Sequence, residues 1–209
     1  MTKPSPYKAQ LVSVEDISQG KWIQTRQINY KDPNGQDRVW EMAVRTTRTE
    51  TTNTDAVSIL ALLKHPQKPT EIVFTKQFRP PTGKVVIELP AGLIDPKESV
   101  ESTAIRELIE ETGYHGKVLS STLDQVELFS DPGLTNANMA FTTMEVDLTQ
   151  PENINPQPEL EPGEFIETFT LPLTNLLDEL LDVCKKEGCV IDARLYHYAA
   201  GLKMASMTS

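Results

Sequence analysis

Polar and apolar side chains alternate over residues 21–30 and again over 38–45, on either side of Asp32-Pro33-Asn34-Gly35. Period-two alternation around such a turn predicts a hairpin, with Asn34-Gly35 at the positions that accept positive φ. The first fifty residues therefore read as a small antiparallel sheet. A polar stretch, 46–55, follows, and then a run of buried-strand type at 56–63. A turn through His65-Pro66-Gln67-Lys68-Pro69 leads to strands at 71–78 and 84–89, and further strands are predicted at 116–120, 125–129, 139–147 and 164–170. Pro151, Pro156, Pro158 and Pro162 make 149–163 an irregular loop, long enough to suggest a functional one.

Three segments carry helical spacing instead. Val100, Ala104, Ile105, Leu108 and Ile109 form one apolar face between Ser99, a fitting N-cap, and Gly113, a left-handed terminator. Leu176, Leu177, Leu180 and Leu181 predict a helix capped by Thr174 and running to Lys186, and Asp192 is placed to cap a last helix reaching about Met204. Strands with few, separated helices imply an α/β (α+β) fold, a mixed sheet between helices rather than a regular βαβ repeat. The domain division expected is an N-terminal β-sheet element at 1–50 and a main domain at 51–209.

Composition narrows the range of partners. With a net charge of −10 over 209 residues, the chain has no general basic surface for nucleic acid. A phosphate-bearing ligand must be met locally, by placed arginines and metal. The longest apolar run, Ala56 to Leu63 interrupted by Ser58, is too short to span a bilayer, and the first residues lack the apolar stretch of a signal peptide. The expectation is an intracellular, cytoplasmic protein, with the nucleus as alternative and no membrane partner. Cys184 and Cys189 are read as free thiols, and His65, His115 and His197 as surface or packing residues.

The chemistry concentrates in residues 92–114. Nine positions there are Gly92, Glu98, Arg106, Glu107, Leu108, Glu110, Glu111, Gly113 and Tyr114. At about 100° per residue, Glu107, Glu110 and Glu111 cover roughly a third of the helix circumference beside the apolar face. Glu107 and Glu111, four residues apart, stack and make the better chelating pair; Glu110 neighbours Glu107 but points away from Glu111. A solvated acidic helix face is the plain alternative. At the margin of a core, however, two carboxylates about 4 Å apart repel by roughly 4 kcal/mol at an effective dielectric near 20. A divalent cation would turn that repulsion into affinity, and hard oxygen donors suit Mg²⁺ or Mn²⁺. Arg106 can pair with Glu98 and hold the preceding loop.

This pattern is the complete Nudix box, and the chain resembles the ADP-ribose (ADP-sugar) pyrophosphatase branch of the Nudix hydrolases over almost its full length. The islands that carry the likeness are Ser18-Gln19-Gly20-Lys21-Trp22, Val39-Trp40-Glu41, Arg45-Thr46-Thr47-Arg48, Lys76-Gln77-Phe78-Arg79-Pro80-Pro81, Glu88 through Asp95, Asp131-Pro132-Gly133-Leu134, Gly163-Glu164-Phe165 and Asp192-Ala193-Arg194. The resemblance implies a Nudix α/β/α sandwich with a mixed sheet. It also implies an N-terminal sheet exchanged in a homodimer whose sites are shared between subunits. The implied reaction is Mg²⁺-dependent hydrolysis of ADP-ribose to AMP and ribose 5-phosphate, with other ADP-sugars or nucleoside diphosphate derivatives as alternative substrates and a catalytically silent ADP-ribose-binding module as a third reading.

Residue by residue, the resemblance implies that Trp22 and Trp40 sandwich the adenine, one from each subunit, though packing for a dimer is the simpler role for both. Glu41 would contact the adenine region, Arg45 and Arg79 the substrate and its phosphates, Leu93 the substrate through its backbone, and Asp131 the terminal ribose from the partner. Ala91 would lend a backbone carbonyl to a metal also held by Glu107, Glu111 and Glu164. Glu164 would bind or activate the attacking water, while Arg106, paired with Glu98, keeps the orienting role of holding the loop in place.

Overall fold

A computed structural model describes residues 3–48, 53–122 and 126–208. After a 3₁₀ turn at Pro6–Lys8, the elements in chain order are β1 (Gln10–Gln19), β2 (Ile23–Lys31), β3 (Asp37–Arg45), β4 (Ala56–His65), β5 (Lys68–Arg79), β6 (Lys84–Glu88), β7 (Ala91–Leu93), α1 (Val100–Thr112), β8 (Lys117–Ser121), β9 (Leu128–Phe129), β10 (Asn138–Asp147), α2 (Pro151–Ile154), β11 (Ile166–Pro172), α3 (Leu176–Glu187), β12 (Val190–Ile191) and α4 (Ala193–Thr208). Two compact units result: one from the chain up to Asp55 with Glu127–Met139, the other from Ala56–Val126 with Ala140 onwards. The boundary expected after residue 50 lies outside the described residues, as do the middle of the polar stretch 46–55 and Gln125 of the strand expected at 125–129.

The first unit is an antiparallel meander, β1-β2-β3, in which Ile23 pairs with Arg45 and Lys31 with Asp37. β1 was not singled out from the sequence; its register shifts at Leu11/Ser13 and Asp16/Ser18 break the alternation that would mark it. The β2–β3 turn also differs from a plain Asn-Gly hairpin. Only Gly35 takes positive φ (79°), because the Asp32 carboxylate accepts the Asn34 and Gln36 amides at 2.9 and 3.0 Å and shapes the turn itself. The turn at Asp131-Pro132-Gly133-Leu134 is bonded to β3, with the Ala43 amide on the Leu134 carbonyl at 2.9 Å and the Trp40 indole on the Gly133 carbonyl at 3.1 Å.

A buried carboxylate closes this unit. Asp55, 4 % exposed, accepts Arg48 Nε at 3.0 Å and the Asn138 amide at 3.0 Å, while its own amide donates to the Asn138 side chain at 3.0 Å. A charge so enclosed is tolerable only because its oxygens are met.

The second unit carries a sheet in the order β12-β6-β5-β4-β10-β8, with β11 on β5 and β7 on β4. β12 runs parallel to β6, pairing Val190 with Val86, whereas β5 is antiparallel to β4, β6 and β11. Strand alternation splits its apolar residues into two cores. Val57, Ile59, Ala61, Leu63 and Val73 face α1 through Val100, Ala104 and Leu108. Leu60, Ile72, Phe74 and Ile87 face α3 and α4 through Leu176, Leu180, Leu195 and Ala199. Burial on both faces is why β4 is an almost unbroken apolar run, and a mixed sheet between helices is the fold that results.

Several local expectations change. Asn175, not Thr174, is the N-cap residue of α3, at φ 60° and without a side-chain cap bond; the Leu173 amide is bonded to Thr70, and asparagine tolerates the left-handed turn that follows. Asp192 does cap α4, its carboxylate accepting the Arg194 and Leu195 amides, but the helix continues to Thr208. The loop 149–163 contains the single turn α2. Ile105, 41 % exposed, leaves the apolar face of α1, since it lies about 100° from the Ala104 position. The strands β7 and β12 were too short to leave a pattern. Cys184 and Cys189 are free thiols, and no helix among the described residues is long and apolar enough to cross a membrane.

Replacing Asp55 with Ala removes the acceptor of Arg48 and of the Asn138 amide. A loss of about 3–5 kcal/mol is expected from breaking a buried ion pair on one side, read as a fall in the urea midpoint; an unchanged midpoint would show that Asp55 is dispensable.

Candidate active site

Helix α1 starts at a capping box: the Ser99 hydroxyl accepts the Ser102 amide, and the Ser102 side chain accepts the Ser99 amide in return. It ends at Gly113, whose φ of 73° fits a residue without Cβ. Between them Val100, Ala104 and Leu108 anchor the helix to β4. The carboxylates are thereby set at the edge of the core, Glu111 itself being 7 % exposed.

Arg106 organises this edge. Its Nε and Nη2 donate to the two oxygens of Glu98 at 2.9 and 2.8 Å, a bidentate pair. Nη1 donates to Glu107 Oε1 and Glu110 Oε2, both at 2.8 Å, and Nη2 also reaches the Leu93 carbonyl at 3.2 Å. One guanidinium thus holds three acids and the loop after β7. The Thr103 hydroxyl donates to Glu98 at 2.8 Å, and with Arg106 above all it holds the Glu98 carboxyl down at about 2.

Glu107 and Glu111 are less well served. Burial raises the Glu107 carboxyl, Arg106 opposes this, and Glu110 and Glu164 add repulsion. Glu111 is pushed up to about 8, first by burial and then by Glu107 and Glu164; the Ala91 amide, 3.1 Å from its Oε2, and the charge of Arg79 offset part of this. The Glu107 carboxylate occupies the space beside Gly92, where a Cβ would come within 1.8 Å of it. A side chain at position 92 would therefore push the Glu107 carboxylate out of this place.

The structure brings together Glu98, Arg106, Glu107, Glu110 and Glu111 with the backbone of Ala91 and Leu93. It adds Glu164 and Arg79 through their electrostatic effect on Glu111. Glu164 Oε2 accepts the Glu161 amide at 3.1 Å, and Arg79 Nε donates to Glu88 at 2.6 Å. Trp22, Trp40, Glu41, Arg45 and Asp131 belong to the other unit. There both tryptophans are exposed, and Trp40 and the Glu41–Arg45 pair lie on opposite faces of β3 by alternation. Thr103 and Glu88 were not assigned roles from sequence. Glu88 was visible only as part of an island, and Thr103 gives no signal beyond its helical position.

Among the described residues no three His, Cys, Asp or Glu side chains form a ready metal cage. The donors nevertheless suit a hard divalent cation. Glu107, Glu111 and Glu164 repel one another, Arg106 neutralises only part of that charge, and magnesium is commonly held by one or two carboxylates plus water and phosphate oxygens rather than by a full protein cage.

Residues 52–188 match the family model of the NUDIX domain. The chain is 45% identical to an ADP-ribose pyrophosphatase of Saccharomyces cerevisiae over 97% of this chain and 87% of that one. It is 46% identical to an uncharacterised Nudix hydrolase of Schizosaccharomyces pombe, covering 97% and 96%. With an ADP-sugar pyrophosphatase of Mus musculus it shares 38% identity, covering 98% and 92%. A crystal structure of an ADP compounds hydrolase superposes with a TM-score of 0.65 at 20% identity, covering 99% of this chain and 97% of that one, a likeness of fold.

The raised Glu111 carboxyl has a consequence for stability. The folded chain holds this proton more tightly than the unfolded chain, where a glutamate titrates near 4.3. The stabilising share of Glu111 is therefore complete below about pH 4 and is lost as pH rises toward about 8. With chelator present, Glu111→Gln is expected to melt above the wild type at pH 8.5, and the gap is expected to close toward pH 5. Parallel melting curves across that range would contradict it.

Proposed function

The chain belongs to the Nudix hydrolase family, and from that premise we propose that it is a homodimeric, Mg²⁺-dependent hydrolase that splits ADP-ribose into AMP and ribose 5-phosphate. The observation that carries the reaction type is the cluster of incompletely compensated carboxylates on α1. The choice of substrate rests on the yeast relative, named an ADP-ribose pyrophosphatase, with 45% identity over nearly the whole chain.

In this reading Glu107, Glu111, Glu164 and the Ala91 carbonyl hold Mg²⁺, with Mn²⁺ as a substitute. The metal supplies charge neutralisation at the pyrophosphate oxygens and a more acidic bound water. Glu98 and Arg106 keep the helix acids in place, and the Arg106 bond to the Leu93 carbonyl fixes the loop against which substrate lies. Arg79 leaves part of its fork free beyond Glu88 and suits a phosphate oxygen, as does Arg45. Glu164 takes a proton from the attacking water.

Trp22 and Trp40 stack on the two faces of adenine, one from each subunit, with Glu41 near the base edge and Asp131 on the terminal ribose across the dimer. The first unit supports a dimer through the apolar side chains it leaves open, including Leu11, Val14, Ile17 and Val39. A second reading, with other ADP-sugars as substrates, draws on the mouse relative named an ADP-sugar pyrophosphatase.

Incubation with ADP-ribose and Mg²⁺ should release AMP and ribose 5-phosphate, and Glu111→Gln should lower kcat on the order of 10²-fold or more, a size typical of losing one charge-stabilising group. Turnover equal to the wild type would remove Glu111 from the site. For Trp22→Ala and Trp40→Ala, the loss of a base stack worth about 1–3 kcal/mol corresponds to KM rising about 5- to 150-fold. An unchanged KM would assign both indoles to packing alone.

A further inference from the structure

The loop carrying Glu164 is tied to the far end of α1 at three places. Asn153, 4 % exposed, uses both ends of its amide. Its oxygen accepts the His115 amide at 2.8 Å, and its nitrogen donates to the His115 carbonyl at 2.9 Å and the Asp147 carbonyl at 3.0 Å. Only an amide side chain meets one donor and two acceptors in this way. Next, the backbone of Gln157 lies against Gly113 so closely that a Cβ there would come within 2.2 Å of the Gln157 nitrogen. Finally, the Glu159 amide donates to the Glu110 carbonyl at 2.8 Å, meeting one of the carbonyls a helix end leaves without a partner.

Beyond Glu159 the chain is next fixed at Ile166, paired with Gln77 in β5. Glu164 therefore sits in a short span between two fixed points, and its charge reaches Glu107 and Glu111. Within the span the Glu164 amide bonds the Glu161 carbonyl, and the Glu161 amide bonds the Glu164 carboxylate. The length of this span and the location of its first anchor determine where the carboxylate can go.

We propose that Asn153 is a positioning residue for Glu164: by clamping the loop base to the residues just past α1, it holds in place the segment whose Glu159 anchor begins the span that presents Glu164 to the helix acids. This rests on the role given to Glu164 above. Asn153 touches neither substrate nor the reacting atoms; it acts through the tether.

A double-mutant cycle with ADP-ribose and Mg²⁺ tests it. Asn153→Ala is expected to lower kcat about 10- to 100-fold, the range for partners that support a reacting group, with KM held within about threefold. In a Glu164→Gln background the same change should cost less than about twofold, because interacting positions are not additive. Full multiplication of the two losses, or an unchanged kcat in Asn153→Ala, overturns the proposal. Should Asn153→Ala fold poorly, two glycines inserted between Leu160 and Glu161 lengthen the span with both anchors intact. They should lower kcat at an unchanged Tm, and full activity of that variant would also overturn it. Hydrogen exchange at the Glu159 amide supplies a readout apart from turnover, with protection lost in Asn153→Ala and retained in Glu164→Gln. Wild-type turnover that survives Glu164→Gln refutes the role of Glu164 itself, whereas turnover sensitive to Glu164→Gln but not to Asn153→Ala refutes only the positioning role.

Discussion

Four glutamates lie on one end of a loop and one side of a thirteen-residue helix, and the guanidinium of Arg106 is the group that makes this arrangement stable enough to fold. It donates to Glu98, Glu107 and Glu110 at once. Without it the like charges would repel across a partly desolvated edge, where each contact costs several times its value in water. Arg106 does not reach Glu111, however. That carboxyl has only the Ala91 amide and the more distant charge of Arg79 to set against its burial and the negative charges of Glu107 and Glu164. The folded chain therefore keeps uncompensated negative charge at one defined place, and a divalent cation with phosphate oxygens is the chemistry that fits it.

The same edge depends on the sheet behind it. Because β4 and β5 send alternate side chains to two cores, α1 is pressed onto one face while α3 and α4 cover the other. Ala91 and Gly92 come from β7, which pairs with the start of β4, so the loop that meets Glu107 and Glu111 is positioned by backbone hydrogen bonds rather than by side chains. A substitution that shifted β4 by one residue would exchange the two cores and displace the whole carboxylate edge.

Much of this was legible from residue spacing. The helix of the box, its Ser99 cap and its Gly113 terminator follow from local rules, and the strands β2 to β6 follow from alternation or continuous apolarity. The Arg106–Glu98 pair was readable because both residues belong to one motif. What spacing could not show are contacts made by tertiary approach: Thr103 on Glu98, the Glu107 carboxylate against Gly92, and Asn153 on His115, thirty-eight residues away. Asn175, not Thr174, stands at the cap, its carbonyl accepting the Asp178 and Glu179 amides, while Leu173 just before it is bonded to Thr70, a long-range contact that no local pattern records. β1 carries no strand signature of its own, since its register shifts interrupt the alternation.

The central claim, that the α1 carboxylates are assembled with a proton on Glu111 that a cation displaces, is tested most directly by counting protons during metal binding. Titrating the metal-free protein with Mn²⁺ at pH 7 in buffers of different ionisation enthalpy gives that count. Close to one proton, about 0.9 at a carboxyl titrating near 8, should leave per metal bound, and Glu111→Gln should release none. Metal binding of equal strength in both proteins, with no proton released from either, would contradict the account.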